Sequence, residues 1–517
     1  MISYKKRNSS KSSLSSSLSL SNYNENIFNA CKTGKIKIIK FLIERGIDVG
    51  VMDDEGNTVL MLASKHGHLK IVEYLVSKKA NINYANEYKK TAFMYACENG
   101  HFDIVKYLFN QGADIKIRDK DGYTAYLYAC KCNDSPDIAN FLISHLINIF
   151  DTNSEGQNAL MLAAYSGKVD IVKYLVGQHQ MDVNYKDLEK HTALMLASSR
   201  GHENVVRYLI SKGADVNSLD NSMCNALMLV SESGNEIIAN LLIGNKANIN
   251  IKNSHGNTAL HIASTSNHFN IVKLLVENGA NVDEKEKRGM TPLVLASRAG
   301  HLDIVKYLVE KQANINVTTV NGYTPLMYAI ENQHASVVEY LIDQKAEFNL
   351  NNIVNKNGWS ALMLSCVTGN EIIIKYLIQE GANINFKSEK GMTALMVACE
   401  YGYTNIVNYL IKHGADLEVK DTTGKTALLY ASENGYLPIV ELLIREGANV
   451  NAEDEIGETA YSIAKTCEYG HTQLVQLLIH YGASIEFKNH SGNTPLLLAS
   501  ENGQTEIVRI LVERKAK

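Results

Sequence analysis

The sequence is short of several things at once: it holds one Trp, 5 Pro and 8 Cys in 517 residues. It also lacks a long apolar run and a charge of one dominant sign. Each shortage removes a class of protein. The Cys are too sparse for a disulfide scaffold, and most lie inside apolar segments rather than at paired loop positions. Reduced thiols are therefore expected, in an intracellular setting, cytoplasmic rather than nuclear. No stretch approaches the roughly 18 to 20 apolar residues that span a bilayer, and the N-terminus carries no continuous apolar segment of signal-peptide type, so membrane insertion is not expected. Acidic residues number 55 and basic residues 51, a formal charge of -4. Without a summed positive field to hold a polyphosphate backbone, nucleic acid is not an expected partner. Hydrophobic residues at 45% and Gly at 34 copies are ordinary for a folded chain and exclude both wholesale disorder and collagen-like structure.

What the sequence does have is a period. The residue preceding each apolar pair of the Ala-Leu or Pro-Leu kind recurs as Thr58, Thr91, Thr124, Asn158, Thr192, Asn225, Thr258, Thr291, Thr324, Ser360, Thr393, Thr426, Thr459 and Thr494. Nine of the thirteen intervals are 33 residues, and the others are 34, 34, 36 and 35. A leading partial unit from about Asn26 to Asp53, carrying Ile38-Ile39-Lys40-Phe41-Leu42, brings the number to about fifteen, the first and last incomplete. Self-similarity at this period marks a repeat architecture.

Within a unit, Thr291-Pro292-Leu293-Val294-Leu295-Ala296 offers an N-cap hydroxyl, a Pro at the first helical position and an apolar face ending in small residues. Gly300-His301 breaks this short helix, and Ile304-Val305 with Tyr307-Leu308-Val309 has the spacing of a second, antiparallel one. Many units close on Gly-Ala, as at Gly213-Ala214, where Gly supplies the left-handed residue that ends a helix. A polar stretch such as Asp215-Val216-Asn217 leads into the next unit.

These residues resemble the ankyrin repeat family, whose pattern runs Asp-x-x-Gly-x-Thr, Pro-Leu-His-x-Ala, Gly-His-x-x-Val-Val-x-x-Leu-Leu and Gly-Ala-x-Val-Asn. The segment from Asn253 to Asn281 follows it closely, through Gly256, Thr258, Ala259-Leu260-His261, Ala263, His268, Ile271-Val272, Leu274-Leu275 and Gly279-Ala280. The resemblance extends over residues 26–517. It implies an all-α solenoid of stacked antiparallel helix pairs with β-hairpin-like turns along one edge, each unit touching only its neighbours.

Several departures from the family pattern matter. Met61, Met94, Met161, Met195, Met228, Met327, Met363 and Met396 stand where the family has His, and only His261 keeps it. The resemblance implies that this His is hydrogen-bonded to the turn, so the Met units should depend more on packing by a flexible side chain. Lys79, Lys246, Gln312 and Lys345 replace the helix-ending Gly. Extra residues near Pro136, near His179, at Asn349 to Asn355 and at Cys467 to Tyr469 read as lengthened loops. Residues 1–25, with Lys5-Lys6-Arg7 and then Ser9, Ser10, Ser12, Ser13, Ser15, Ser16, Ser17, Ser19 and Ser21, read as a disordered Ser-rich tail ahead of the repeats.

Motifs that suggest chemistry fall on the repeat lattice. Gly424-Lys425-Thr426 lacks the upstream Gly of a phosphate-binding loop, Val419 standing there, and it coincides with the Gly-x-Thr of other units. His68, His101, His202, His268, His301, His334 and His471 share one slot, a repeat apart, and read as loop braces rather than metal ligands. Cys31, Cys97, Cys130, Cys366 and Cys399 take a small core position, and Cys130-x-Cys132 has no second ligand pair. No Ser, His and Asp arrangement leaves the lattice, so no catalytic residue, metal or cofactor is expected.

The resemblance implies that partners bind along the concave face made by the turn tips and the ends of the first helices. The residue after the turn Gly is Tyr123 early in the chain and then Met290, Tyr323, Trp359 and Met392 in consecutive units. Beside them, at the helix ends, stand Arg298, Glu331, Glu400 and Tyr401. Trp and Tyr in a row are the composition of an interface hot spot, although turn aromatics can equally pack against neighbouring turns. Glu98, Glu331, Glu400, Glu433 and Glu501 form an acidic fringe suited to a basic partner. The expected function is that of a monomeric, non-catalytic scaffold or adaptor for one or more other proteins. Two further roles suit the same repeats: substrate recruitment in a ubiquitin ligase or other multiprotein enzyme, and a piece of a larger ankyrin-containing enzyme or channel.

Overall fold

The computed structural model describes residues 26–344, 354–466, 472–486, 492–501 and 503–514. The Ser-rich segment, Lys345, the insertions at 349–353 and 467–469, and His471 lie outside the described residues. The chain divides into two units, Met1–Ser254 and His255–Lys517, and each is built from the same repeat.

In the first unit, Asn86 opens a tight turn by donating its N–H to the Lys90 carbonyl at 3.0 Å. Its side-chain Oδ1 accepts from the N–H groups of Tyr88 and Lys90 at 3.0 and 2.9 Å. Thr91 then caps the helix Ala92–Glu98, its hydroxyl oxygen accepting from Met94 N–H at 3.3 Å. A helix of 7 residues is too short to persist alone, and every residue before Glu98 is buried. After the turn at Gly100 the chain runs back as Phe102–Asn110, burying Ile104, Val105 and Leu108 and turning Asp103 and Lys106 outward. Full burial of such an apolar side chain contributes about 1.5 to 3 kcal/mol, so the amphipathic stripe rather than helix propensity holds the pair. The second unit repeats this arrangement in Pro292–Ala299 and Leu302–Glu310, with Thr291 as cap and Pro292 in the first turn.

Within each unit, three kinds of bond tie neighbouring repeats together. Turn tips are linked by single backbone bonds, from Lys120 N–H to Tyr88 O at 3.0 Å and Ser154 N–H to Asp121 O at 2.9 Å in the first unit. In the second, Val320 N–H reaches Arg288 O and Thr422 N–H reaches Lys390 O, both at 2.9 Å. At the opposite end, Asn83 donates to Gly112 O at 3.2 Å and accepts from Asp114 N–H at 2.8 Å. Asn184, Asn217, Asn385 and Asn451 make the same clamp on the loop of the following repeat. Between the helices, the imidazole Nε2–H groups of His68, His101, His202, His301 and His334 donate to a carbonyl of the preceding repeat at 2.9 to 3.1 Å. The bracing role read from the sequence is therefore physical. Where the histidine is missing, Asn133 reaches Cys97 O at 2.8 Å and Tyr403 reaches Val367 O at 3.3 Å.

The Gly-to-Lys and Gly-to-Gln departures keep the left-handed backbone: Lys79, Lys246 and Gln312 have φ of 66°, 67° and 66°. The reading of a lengthened loop near His179 is corrected. The extra residues extend the helix Val169–His179 to 11 residues, and it ends on a left-handed Gln180 at φ 52°. Near Pro136 the extra residue does fall in the loop, between Ala125–Cys132 and Asp137–Ser144.

Candidate protein-binding surface

Each turn is held from within. The first residue of Asp119-x-x-Gly122 accepts from Asp121 N–H and Tyr123 N–H through Oδ1, at 3.0 and 2.8 Å. Its second oxygen accepts from the Tyr128 hydroxyl at 2.6 Å. Gly424 belongs to an equivalent turn, with φ +79° and its Asp421 accepting from Tyr430 at 2.7 Å. The Gly424-Lys425-Thr426 triplet is thus a turn, as the lattice indicated. A framework fixed by its own hydrogen bonds leaves the outward side chains free to vary.

In the first unit, those side chains enclose an open groove of about 760 Å³. Lys90 lies 4.2 Å from the centre of the Tyr128 ring and forms a 3.0 Å ion pair with Glu98. Tyr123 is half-buried and stacks on Tyr128 at 5.0 Å, with Lys131 donating to its hydroxyl at 3.2 Å. Burial, and then the bond to Asp119, pushes the Tyr128 phenol far above its ordinary range. Tyr88, 52% exposed, stands at the rim.

In the second unit the predicted residues separate into groups. Met290, Arg298 and Glu331 line a single open groove of about 650 Å³ together with Lys287, Arg288 and Tyr328. Met290 and Met392 are only 7% and 9% exposed, so these two of the four consecutive turn residues pack inward rather than project. The physical reason is packing: Met290 joins Val294, Val317 and Tyr328 in a buried cluster beneath the turn. Tyr323 packs against that cluster with its ring 5.1 Å from Tyr328. Burial, and then Glu331, raises its phenol pKa. Trp359 is half-buried beside Asn355, whose Oδ1 accepts the Trp359 backbone N–H at 3.1 Å. Tyr401 is 45% exposed and stacks on Tyr403 at 6.3 Å. Glu400 is half-buried, and its carboxyl is raised by burial and then by Glu433. The acidic fringe is partly neutralised from within, Glu98 by Lys90 and Glu433 by Lys425 at 2.7 Å.

Sequence reasoning did not single out Lys90, Tyr95, Tyr128, Lys287 and Arg288. A signal existed: Tyr95, Tyr128, Tyr328 and Tyr430 stand at one repeat position, four residues beyond the cap, which places them beside the turns. Among the described residues, no group of three or more His, Cys, Asp or Glu is arranged to hold a metal ion. Nor, among them, is any helix long and apolar enough to cross a membrane.

The family profile described as ankyrin repeats (3 copies) matches the chain in overlapping stretches that begin with residues 27–119 and 84–153 and end with 373–454 and 428–517. Together these stretches tile residues 27–517, and the chain belongs to the ankyrin repeat family. It is an all-α ankyrin solenoid protein, with consecutive helix pairs in contact within each unit. Members of this family are generally protein–protein interaction modules and are usually non-catalytic. A search among curated proteins finds no match.

Proposed function

We propose that this protein is a non-catalytic scaffold or adaptor that holds partner proteins on the face formed by its turns and the ends of its first helices. The observation that carries this reading is the separation of duties within each repeat. Backbone, Asn and His bonds of a few recurring kinds fix the frame in repeat after repeat, while the outward positions carry residues as different as Lys90, Arg298, Trp359 and Tyr401. A rigid frame lowers the ordering cost of binding, and half-exposed aromatic and cationic groups are what interfaces use as anchors.

The test is capture from the protein's own cell lysate, with the intact chain as bait beside a Trp359→Ala, Tyr401→Ala variant whose helical circular dichroism matches the parent. Partners lost from the folded variant support the reading and locate the anchors. Partners held equally by both remove these two residues from the interface. Ligase subunits among the captured proteins would favour substrate recruitment over a plain scaffold.

A further inference from the structure

We infer that the groove at Lys287, Arg288, Arg298 and Glu331 takes an extended acidic segment of a partner protein. The inference rests on the protein-binding reading above and names the chemistry of one partner segment.

Comparison with other repeats on the same face supplies the argument. In two of them, the residue after the turn glycine position and the residue at the end of the first helix form an ion pair: Lys90 with Glu98 at 3.0 Å and Lys425 with Glu433 at 2.7 Å. The same two positions hold Met290 and Arg298 here. Met290 is buried and apolar, so the exposed Arg298 guanidinium has no acidic counterpart in its own repeat. Lys287 and Arg288 add two more cations from the adjoining turn, and all three line one groove. Among the described residues none of the three takes part in an ion pair. Glu286, the nearest carboxylate on the turn, is already engaged by the N–H groups of Arg288 and Met290 at 2.8 and 2.9 Å. The groove's single acidic side chain is Glu331, leaving an excess of two positive charges in a chain of net charge -4.

The remaining lining suits a peptide. Val320, 55% exposed, offers an apolar contact at the rim, and the Asn321 side chain offers an amide to a peptide backbone, while the Asn332 amide already donates to Tyr328 O at 2.8 Å. A nucleic acid fits less well, because Tyr328, 8% exposed, presents no ring face on which a base could stack. Complementary charge gathered in a cleft raises on-rate and selects register more than it raises raw affinity. The binding should therefore weaken steeply with salt.

The test is fluorescence anisotropy with the full chain and three labelled probes: the peptide Glu-Asp-Leu-Glu-Asp-Leu-Glu-Asp, its Lys-Arg-Leu counterpart, and oligothymidine. The acidic peptide should bind saturably and release as salt rises. Arg298→Glu should weaken it by about tenfold or more, and Glu331→Lys should tighten it by roughly threefold, as expected for charge pairs at a partly exposed interface. Tightening by Glu331→Lys is an outcome that misfolding cannot mimic. Absence of acidic-peptide binding, indifference to both substitutions, or preference for the basic peptide or the oligonucleotide would each overturn the inference. Partner capture that depends on Trp359 and Tyr401 would in that case still stand, so the two readings fail separately.

Discussion

His261 is the one first-helix position at which the family histidine survives, and its surroundings make a sharp prediction. The ring is fully buried. Nδ1 accepts from the Thr258 N–H at 3.2 Å and from the Thr258 hydroxyl at 2.8 Å, while Nε2–H donates to Met290 O at 3.2 Å in the next repeat. In one methionine repeat the sulfur does part of this: Thr58 N–H points at Met61 Sδ at 3.4 Å. His261→Met should therefore keep the packing and a weak cap but lose the bond to the neighbouring turn, while the Met290 carbonyl keeps the Glu286 N–H at 3.0 Å. A net loss of about 0.5 to 1.5 kcal/mol follows, the range for one intramolecular hydrogen bond whose acceptor stays satisfied. Long repeat arrays do not unfold as a single two-state unit, so the local opening free energy over residues 258–290 is the quantity to measure, by hydrogen exchange with mass spectrometric readout. The pH dependence has a definite sign. Burial lowers the His261 pKa below its ordinary 6.5, against smaller raising effects of Met290 O, Glu284 and Glu286. The unfolded state then binds the proton more readily, so this stability is present above about 6.5 and lost as pH falls from there through the folded-state value. A proton on Nδ1 would also end its role as acceptor. The wild-type region should loosen between pH 7.5 and 5.5 relative to the Met195 repeat, and the His261→Met region should not. Equal stability of the two proteins at pH 7.5, or equal pH dependence, would refute the reasoning.

Three further outcomes are expected. Gly424→Ala should destabilise its repeat by about 2 kcal/mol, because φ is left-handed and the new Cβ would sit 2.6 Å from the backbone N of Glu455; faster exchange of the Glu455 amide, which bonds to Thr423 O, is the readout. Ser297 is fully buried and its hydroxyl has no partner among the described residues, so Ser297→Ala should stabilise by about 1 kcal/mol, whereas Ser231→Ala, which removes a 2.8 Å bond to Leu227 O, should not. Burial pushes the Cys31, Cys130 and Cys366 thiols up to about 12, so a maleimide should label Cys224 and Cys132 well before these three in the native protein, as peptide mapping would show.

Most of the repeat was legible in one sequence because the signals are local. The Thr caps, the Pro at the first helical position and the apolar spacing of Ile304, Val305 and Leu308 act within a few residues of themselves, and the structure has helices at those places. The shared histidine slot was legible as a brace because its seven copies keep one register, yet the carbonyls bonded by His68, His101, His202, His301 and His334 lie 36 or 37 residues earlier. The candidate surface was only half legible. Periodicity placed Met290, Tyr323, Trp359 and Met392 beside the turns, but whether a side chain projects or packs depends on what the adjoining repeat puts against it. Val317 and Tyr328 cover Met290. Nothing in the local sequence around Met290 specifies those neighbours.

The family, the helix pairs and the left-handed turn positions follow from short-range capping, propensity and a repeat length held near 33 residues, all of which are written along the chain. Tertiary structure alone decided which charges remain unsatisfied. Lys90 finds Glu98 and Lys425 finds Glu433, while Arg298 finds no carboxylate in its repeat, because Coulomb pairing depends on distances across the folded face rather than on order along the chain.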